Sequence, residues 1–159
     1  MKFEFLIPII AFSGLLVGYL INRFTKEELE NGKNYFLWLK RIVIVILFFI
    51  LLIKSYDRYV ALVAGLVAGY FLRKEYLYIG LSLASGFYMV KEIIASLIFI
   101  FGLAYSGLNY KIIDKKQIIY NFVFFIAPFL ILLMPSNLLN EVMAFSTGAL
   151  LWGLDRCYI

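Results

Sequence analysis

The chain has 159 residues, 64% of them hydrophobic and 16% charged, with a formal net charge of +5. A soluble domain averages about 45–50% apolar and about 25% charged residues, and a soluble fold of this size buries only about 70% of its surface. A mean hydropathy of +0.94 therefore excludes a soluble globule, a disordered chain and a disulfide scaffold, and predicts an all-α, polytopic membrane bundle.

Seven apolar runs follow one another along the chain. The first, Phe5–Ile21, carries Gly14 and Gly18 on one helix face, since residues four apart stack above each other. Lys2 and the small residues around Ala11 also suit a cleaved signal peptide. Cleavage there delivers the base-rich segment 22–41 to the outside, against the positive-inside rule. The loop 22–34 contains Thr25-Lys26-Glu27-Glu28, a capping box, and then Asn31-Gly32, a helix stop. A short capped helix on the cytoplasmic surface is expected there.

The second run, Tyr35–Ile53, has no glycine. Its Tyr35, Phe36 and Trp38 suit the headgroup level, and Lys40 and Arg41 are expected to snorkel to the interface. The third and fourth runs, Tyr59–Leu72 and Tyr76–Val90, fall short of the roughly 20 residues that a span needs. A re-entrant hairpin over 59–90 sinks Arg73, Lys74 and Glu75 into the membrane, at no less than about 2.5–3.5 kcal/mol each. Two short full spans are the expected alternative. Gly65 and Gly69 line one face of the third run, and Ala61 extends it.

The fifth run, Ile93–Tyr110, follows Lys91-Glu92 with no Gly, Pro or Asn beside that pair. If the helix continues through it, Glu92 enters the bundle and becomes a candidate ion or proton carrier. If it is a turn, both charges reach water. The sixth run, Ile118–Met134, has Asn121 near its start and Pro128 two turns on. A buried Asn bonds across helices and a Pro frees a carbonyl at a kink. The seventh, Asn137–Leu154, has Ala144 and Gly148 four apart, with Glu141 in its first turn.

Charge sets the expected topology. With the N-terminus outside, eleven of the fifteen bases fall inside, and only Lys2, Lys54, Arg58 and Lys91 fall outside. That is a positive-inside pattern, so seven spans, N-out and C-in, are expected within one transmembrane domain, residues 1–159, in the cell membrane. The bases accompany short loops rather than a nucleic-acid face, and no nucleic-acid partner is expected.

The glycines predict the packing. In lipid, small residues let helix backbones approach closely. Gly14, Gly18, Ala61, Gly65, Gly69, Ala144 and Gly148 are the expected packing positions. Spans one, three, four, five and seven should form the centre, with two and six facing lipid or another membrane protein. Gly14-Leu15-Leu16-Val17-Gly18-Tyr19 also resembles Gly65-Leu66-Val67-Ala68-Gly69-Tyr70, a hint of a parallel internal repeat.

The sequence has no histidine and one cysteine, Cys157. That excludes His-dependent nucleophile systems in their usual forms, His-ligated metal or haem, an internal disulfide and a CxxC site. No catalytic, cofactor or metal residue stands out, and the chain is not expected to be an enzyme. The leading expectation is a non-catalytic subunit or scaffold of a membrane complex, docking through spans two and six or through 22–34. The alternative is a small ion or solute transporter or channel, with Gly-lined helices, Glu92 and Asn121.

Overall fold

The computed structural model describes residues 6–55, 57–72, 74–85, 90–109, 113–133 and 136–154, with side chains over these ranges except at 26–30, 131–133 and 136–137. The calls on Lys2, Arg73 and Cys157 lie outside the described residues. Seven α-helices account for nearly all of the rest. They are α1 (Leu6–Phe24), α2 (Lys26–Ser55), α3 (Tyr59–Phe71), α4 (Glu75–Ser85), α5 (Lys91–Leu108), α6 (Lys115–Ile126) and α7 (Ser136–Leu150). Three of them are long and apolar enough to cross a membrane: α1, the Asn31–Ser55 part of α2, and α5. These suggest a membrane location.

Two sequence expectations need correction. A helix does start after Thr25, but it does not stop at Asn31-Gly32; α2 runs unbroken to Ser55. A single Gly in a helix interior costs only about 1 kcal/mol, too little to end a helix that continues into a long apolar run. The Thr25 hydroxyl donates back to the Ile21 carbonyl at the end of α1. The second correction concerns α2 itself. Lys40, Val43, Ile44, Leu47, Leu51 and Ser55 are buried along one side, at helix spacing, and α2 packs against both α5 and α7. It is an inner helix on that side, with Ile42, Phe49 and Ile53 exposed on the other. Lack of glycine meant large interlocking side chains, not lack of helix neighbours.

Pro128 lies where expected for a break. Helix α6 ends at Ile126 and passes into a tighter 3-10 segment, Ala127–Leu133. At its start α6 has a true cap, with the Asp114 carboxylate accepting from the Gln117 backbone N–H at 2.8 Å. Helix α5 begins at Lys91, so Lys91 and Glu92 form its first turn.

The glycines act by close approach. No described glycine has a positive φ, so none is there for a turn. A Cβ on Gly14 would strike the Phe99 carbonyl of α5, and one on Gly18 would lie 2.8 Å from Ser106 Cβ and 3.1 Å from Leu103 Cα. In return, Gly102 receives the backbone of Gly14 and Leu15. Contacts advance in step along both helices, so α1 and α5 run in the same direction.

The second pair repeats this register. Gly65 meets Phe145, Gly69 meets Ala149 and Trp152, and Gly148 receives Leu66. Position for position, Phe99, Gly102, Leu103 and Ser106 correspond to Phe145, Gly148, Ala149 and Trp152. The sequence carries this second half of the repeat too: Phe99-x2-Gly102-x4-Gly107-Leu108 against Phe145-x2-Gly148-x4-Gly153-Leu154. Helix α2 packs on α5, and α4 packs on α7. The bundle is therefore two like-built triplets, α1-α2-α5 and α3-α4-α7. Helix α6 and its 3-10 segment close over α4. Ala144 is fully buried in this arrangement, while Ala61 is half-buried.

Helix α4 sits at the centre. All of its residues after Glu75 except Leu77 are buried. At eleven residues it is only about 16 Å long. Its N-terminus thus meets the C-terminal end of α5, the start of α6 and the middle of α2.

Candidate functional site

The charges converge where α4 begins. Glu75 is its first residue, and a carboxylate at a helix N-terminus is favoured by the peptide dipoles. Its Oε1 accepts from Lys40 Nζ at 2.8 Å, and the two side chains are 9% and 1% exposed. Lys40 does not snorkel as expected. It lies buried on the inner side of α2, one turn before Val43 and Ile44. The ammonium also stands 5.9 Å from the centre of the Tyr105 ring.

A polar cavity of about 50 Å³ lies beside the pair, lined by Lys74, Glu75, Tyr76, Tyr105, Gln117, Tyr120, Asn121 and Phe124. Four elements build it: α4 and the residue before it, α5 and α6 at the cavity, and α2 behind it through Lys40. Among the described residues, three buried polar atoms have no hydrogen-bond partner: Glu75 Oε2, Tyr76 Oη and Asn121 Nδ2. All three belong to residues that line the cavity. Asn121 Oδ1 has only a long bond, 3.5 Å from Gln117 Nε2. Leaving such groups unpaired costs about 1–3 kcal/mol each, and buried polar groups of this kind are ordinarily met by ordered water. Its volume is several times the roughly 10–15 Å³ that one water needs.

Aromatic rings hold these groups in place. Tyr76 is edge-on to Tyr105 at 5.2 Å, with Phe101 and Phe12 also around it. Lys74 lies over the Tyr120 ring at 4.7 Å, a cation–π arrangement at the exposed edge of the cavity. Hydrogen bonds brace the same end of the bundle. Asn22 donates to Ser106 at 2.7 Å, Arg41 to the Leu154 carbonyl at 3.2 Å, and Trp152 to the Leu66 carbonyl at 2.6 Å.

Of the two residues singled out for transport, Asn121 belongs to this cavity and Glu92 does not. Glu92 is exposed in the first turn of α5, about 20 Å along that helix from Tyr105. It edges an open, mainly apolar groove with Ile7, Ile10, Ala95, Ser96 and Phe99. Glu141 lies in the second turn of α7, not the first as expected, because the helix begins at Ser136; it pairs with Arg58 at 2.6 Å on the surface. Among the described residues, no three His, Cys, Asp or Glu side chains gather into a possible metal site.

Lys40, Glu75, Tyr76, Tyr105 and Gln117 were not singled out from the sequence. Glu75 was read as part of a charged turn, and Lys40 as an interfacial base. One signal was available. Glu75 is the lone acid of the Arg73-Lys74-Glu75 turn, which marks it as an acid placed for a purpose other than topology.

Comparison with known proteins adds no relative: no family model, curated protein or solved structure matches the chain.

Proposed function

We propose that this chain is a multi-pass membrane protein that moves a small polar solute or an ion, with the cavity at the start of α4 as its binding chamber. One observation carries this reading. A buried Lys40–Glu75 pair borders a polar cavity, and three unpartnered polar atoms belong to its lining. Ionisable groups inside a membrane bundle are expensive, and they mark substrate or ion paths more often than they serve stability. Bundles of repeated triplets with a polar site between them also suit alternating access. We take Glu75 and Asn121, rather than Glu92, as the working groups.

The same proposal includes seven spans, N-out and C-in. Lys40, Lys74 and Glu75 then lie near the inner, base-rich side, so the chamber communicates with the cytoplasm through the Lys74 edge. Short α3 and α4 fit if they tilt little and thin the bilayer locally. Proteoliposomes test the transport reading. Ion gradients are followed with pH- and potential-sensitive dyes, and small neutral solutes by light scattering. Protein-dependent flux of at least one species is expected; no flux above protein-free vesicles for any of them overturns it.

A second reading, a subunit of a larger complex, draws on one feature. Helix α2 has thirty residues, about 45 Å, and exceeds a bilayer core of about 30 Å. Its polar start, Lys26–Asn34, is then the part left outside that core and available for docking. Co-purification from native membranes in mild detergent separates the two, since a lone monodisperse species counts against a subunit.

A further inference from the structure

We infer that the chamber takes a small uncharged amide, with urea as the simplest member of the class. This rests on the transport reading of the chamber and names its solute. The argument begins with the unpartnered atoms. Among the described residues, the carboxylate atom Glu75 Oε2 is left to accept, Asn121 Nδ2 is left to donate, and Tyr76 Oη can do either. All three residues line one cavity. A small anion there would satisfy Asn121 and oppose the Glu75 carboxylate. A small cation would satisfy Glu75 and oppose the Asn121 N–H groups. An amide carries both partners in one uncharged body. Its N–H groups donate to Glu75 Oε2, and its carbonyl oxygen accepts from Asn121 Nδ2 and Tyr76 Oη.

Size and shape narrow the class. The cavity of about 50 Å³ has room for about three to five waters, which matches one small amide rather than a sugar. Ordered water meets the same polar atoms as separate molecules. One amide replaces several of them and reproduces their hydrogen bonds, the condition for displacing ordered water without loss of affinity. The protein's own amides already form part of such a chain: Gln117 Nε2 stands 3.5 Å from Asn121 Oδ1, which leaves Asn121 Nδ2 as the next donor. A bound amide continues that chain through its carbonyl. Planarity is the second filter. The rings of Tyr76, Tyr105, Tyr120 and Phe124 make up half of the described lining. Tyr76 and Tyr105 meet edge-on at 5.2 Å, and Tyr120 and Phe124 are tilted with centres 4.5 Å apart. A flat amide lies against such ring faces, whereas a puckered polyol of similar size, such as glycerol, does not.

The test reads binding directly, independent of flux. The full chain is placed in lipid nanodiscs, and saturation-transfer difference NMR follows the methyl signal of acetamide, with urea, glycerol and sodium chloride as competitors. A saturable acetamide signal is expected that urea displaces and that glycerol and sodium chloride, at the same concentrations, do not. Asn121→Leu and Tyr76→Phe each remove one bond to the carbonyl, and each should weaken binding by about fivefold or more. Each also deletes a polar atom that has no partner in the protein, so both variants should fold, which helical circular dichroism checks. Glu92→Ala, at the far end of α5, should bind as the wild type does. No saturable signal, equal displacement by glycerol or sodium chloride, or an affinity unchanged in either cavity variant overturns the inference. Ion flux with no amide binding refutes the amide site but leaves the transport reading standing. Amide binding without any flux supports the site and refutes transport.

Discussion

Replacing Lys40 by Met, with Glu75 left in place, should lower the unfolding free energy by about 3–5 kcal/mol. The figure follows from the burial of the pair, 1% and 9% exposed, and its 2.8 Å contact. At that distance and an effective dielectric of about 20, the attraction is about 6 kcal/mol. Desolvating the two ions costs several kcal/mol each, so the intact pair is close to neutral for stability. Removing one partner keeps the desolvation cost of the other and loses the attraction. The double variant, Lys40→Met with Glu75→Gln, removes both charges and should recover most of the loss. The assay is reversible denaturation in mixed micelles, followed by tryptophan fluorescence and helical circular dichroism. All four forms of the cycle are measured. A coupling of about 0.5 kcal/mol or less, the level seen between independent sites, refutes a functioning buried pair.

Other consequences are more local. Gly14→Ala and Gly65→Ala each push a Cβ onto a backbone carbonyl of the facing helix, and each should cost about 1–3 kcal/mol. Gly32→Ala meets only the Phe36 ring, at 3.4 Å, and should gain up to about 1 kcal/mol from helix propensity; the same denaturation assay reads all three. Trp152→Phe loses the 2.6 Å bond to Leu66 and should cost about 1 kcal/mol, also by denaturation. For topology, a Cys157→Ser background with Asp57→Cys should react with an impermeant maleimide on intact cells. Lys33→Cys should react only after the membrane is opened, and the reverse pattern refutes N-out.

Much of the fold was legible because apolar helices announce themselves by run length and by the charged residues between the runs. The seven runs match the seven helices in order. The Gly14–Gly18 and Gly65–Gly69 stripes do mark the close helix pairs, since only a missing Cβ allows backbones to touch. The partner half of the repeat, from Phe99 and from Phe145, shares spaced glycines but no contiguous match, which makes it faint in sequence. Local signals competed elsewhere. The Thr25 box and Asn31-Gly32 stop were outweighed by the long apolar run that follows them.

The chamber was hidden for a different reason. In a soluble helix, a Lys on the apolar face breaks a pattern. In α2 both faces are apolar from Ile42 to Ile53, so periodicity does not say which way Lys40 points. Glu75, Tyr105 and Asn121 come from three helices far apart in sequence. Only the packing of α4 between α5, α6 and α7 brings them together. Asn121 could be picked from sequence because a lone amide near the start of an apolar run needs a partner. Glu92 stands out because no Gly, Pro or Asn flanks Lys91-Glu92, yet it lies at the other end of α5.

The most direct measurement compares flux in proteoliposomes for three proteins: the wild type, the Lys40→Met/Glu75→Gln double variant and Glu92→Ala. Imposed ion gradients are followed with pH- and potential-sensitive dyes, and small neutral solutes by light scattering. The chamber at the start of α4 predicts wild-type flux, its retention in Glu92→Ala and its loss in the double variant. Flux that survives in the double variant, or is lost in Glu92→Ala, contradicts it.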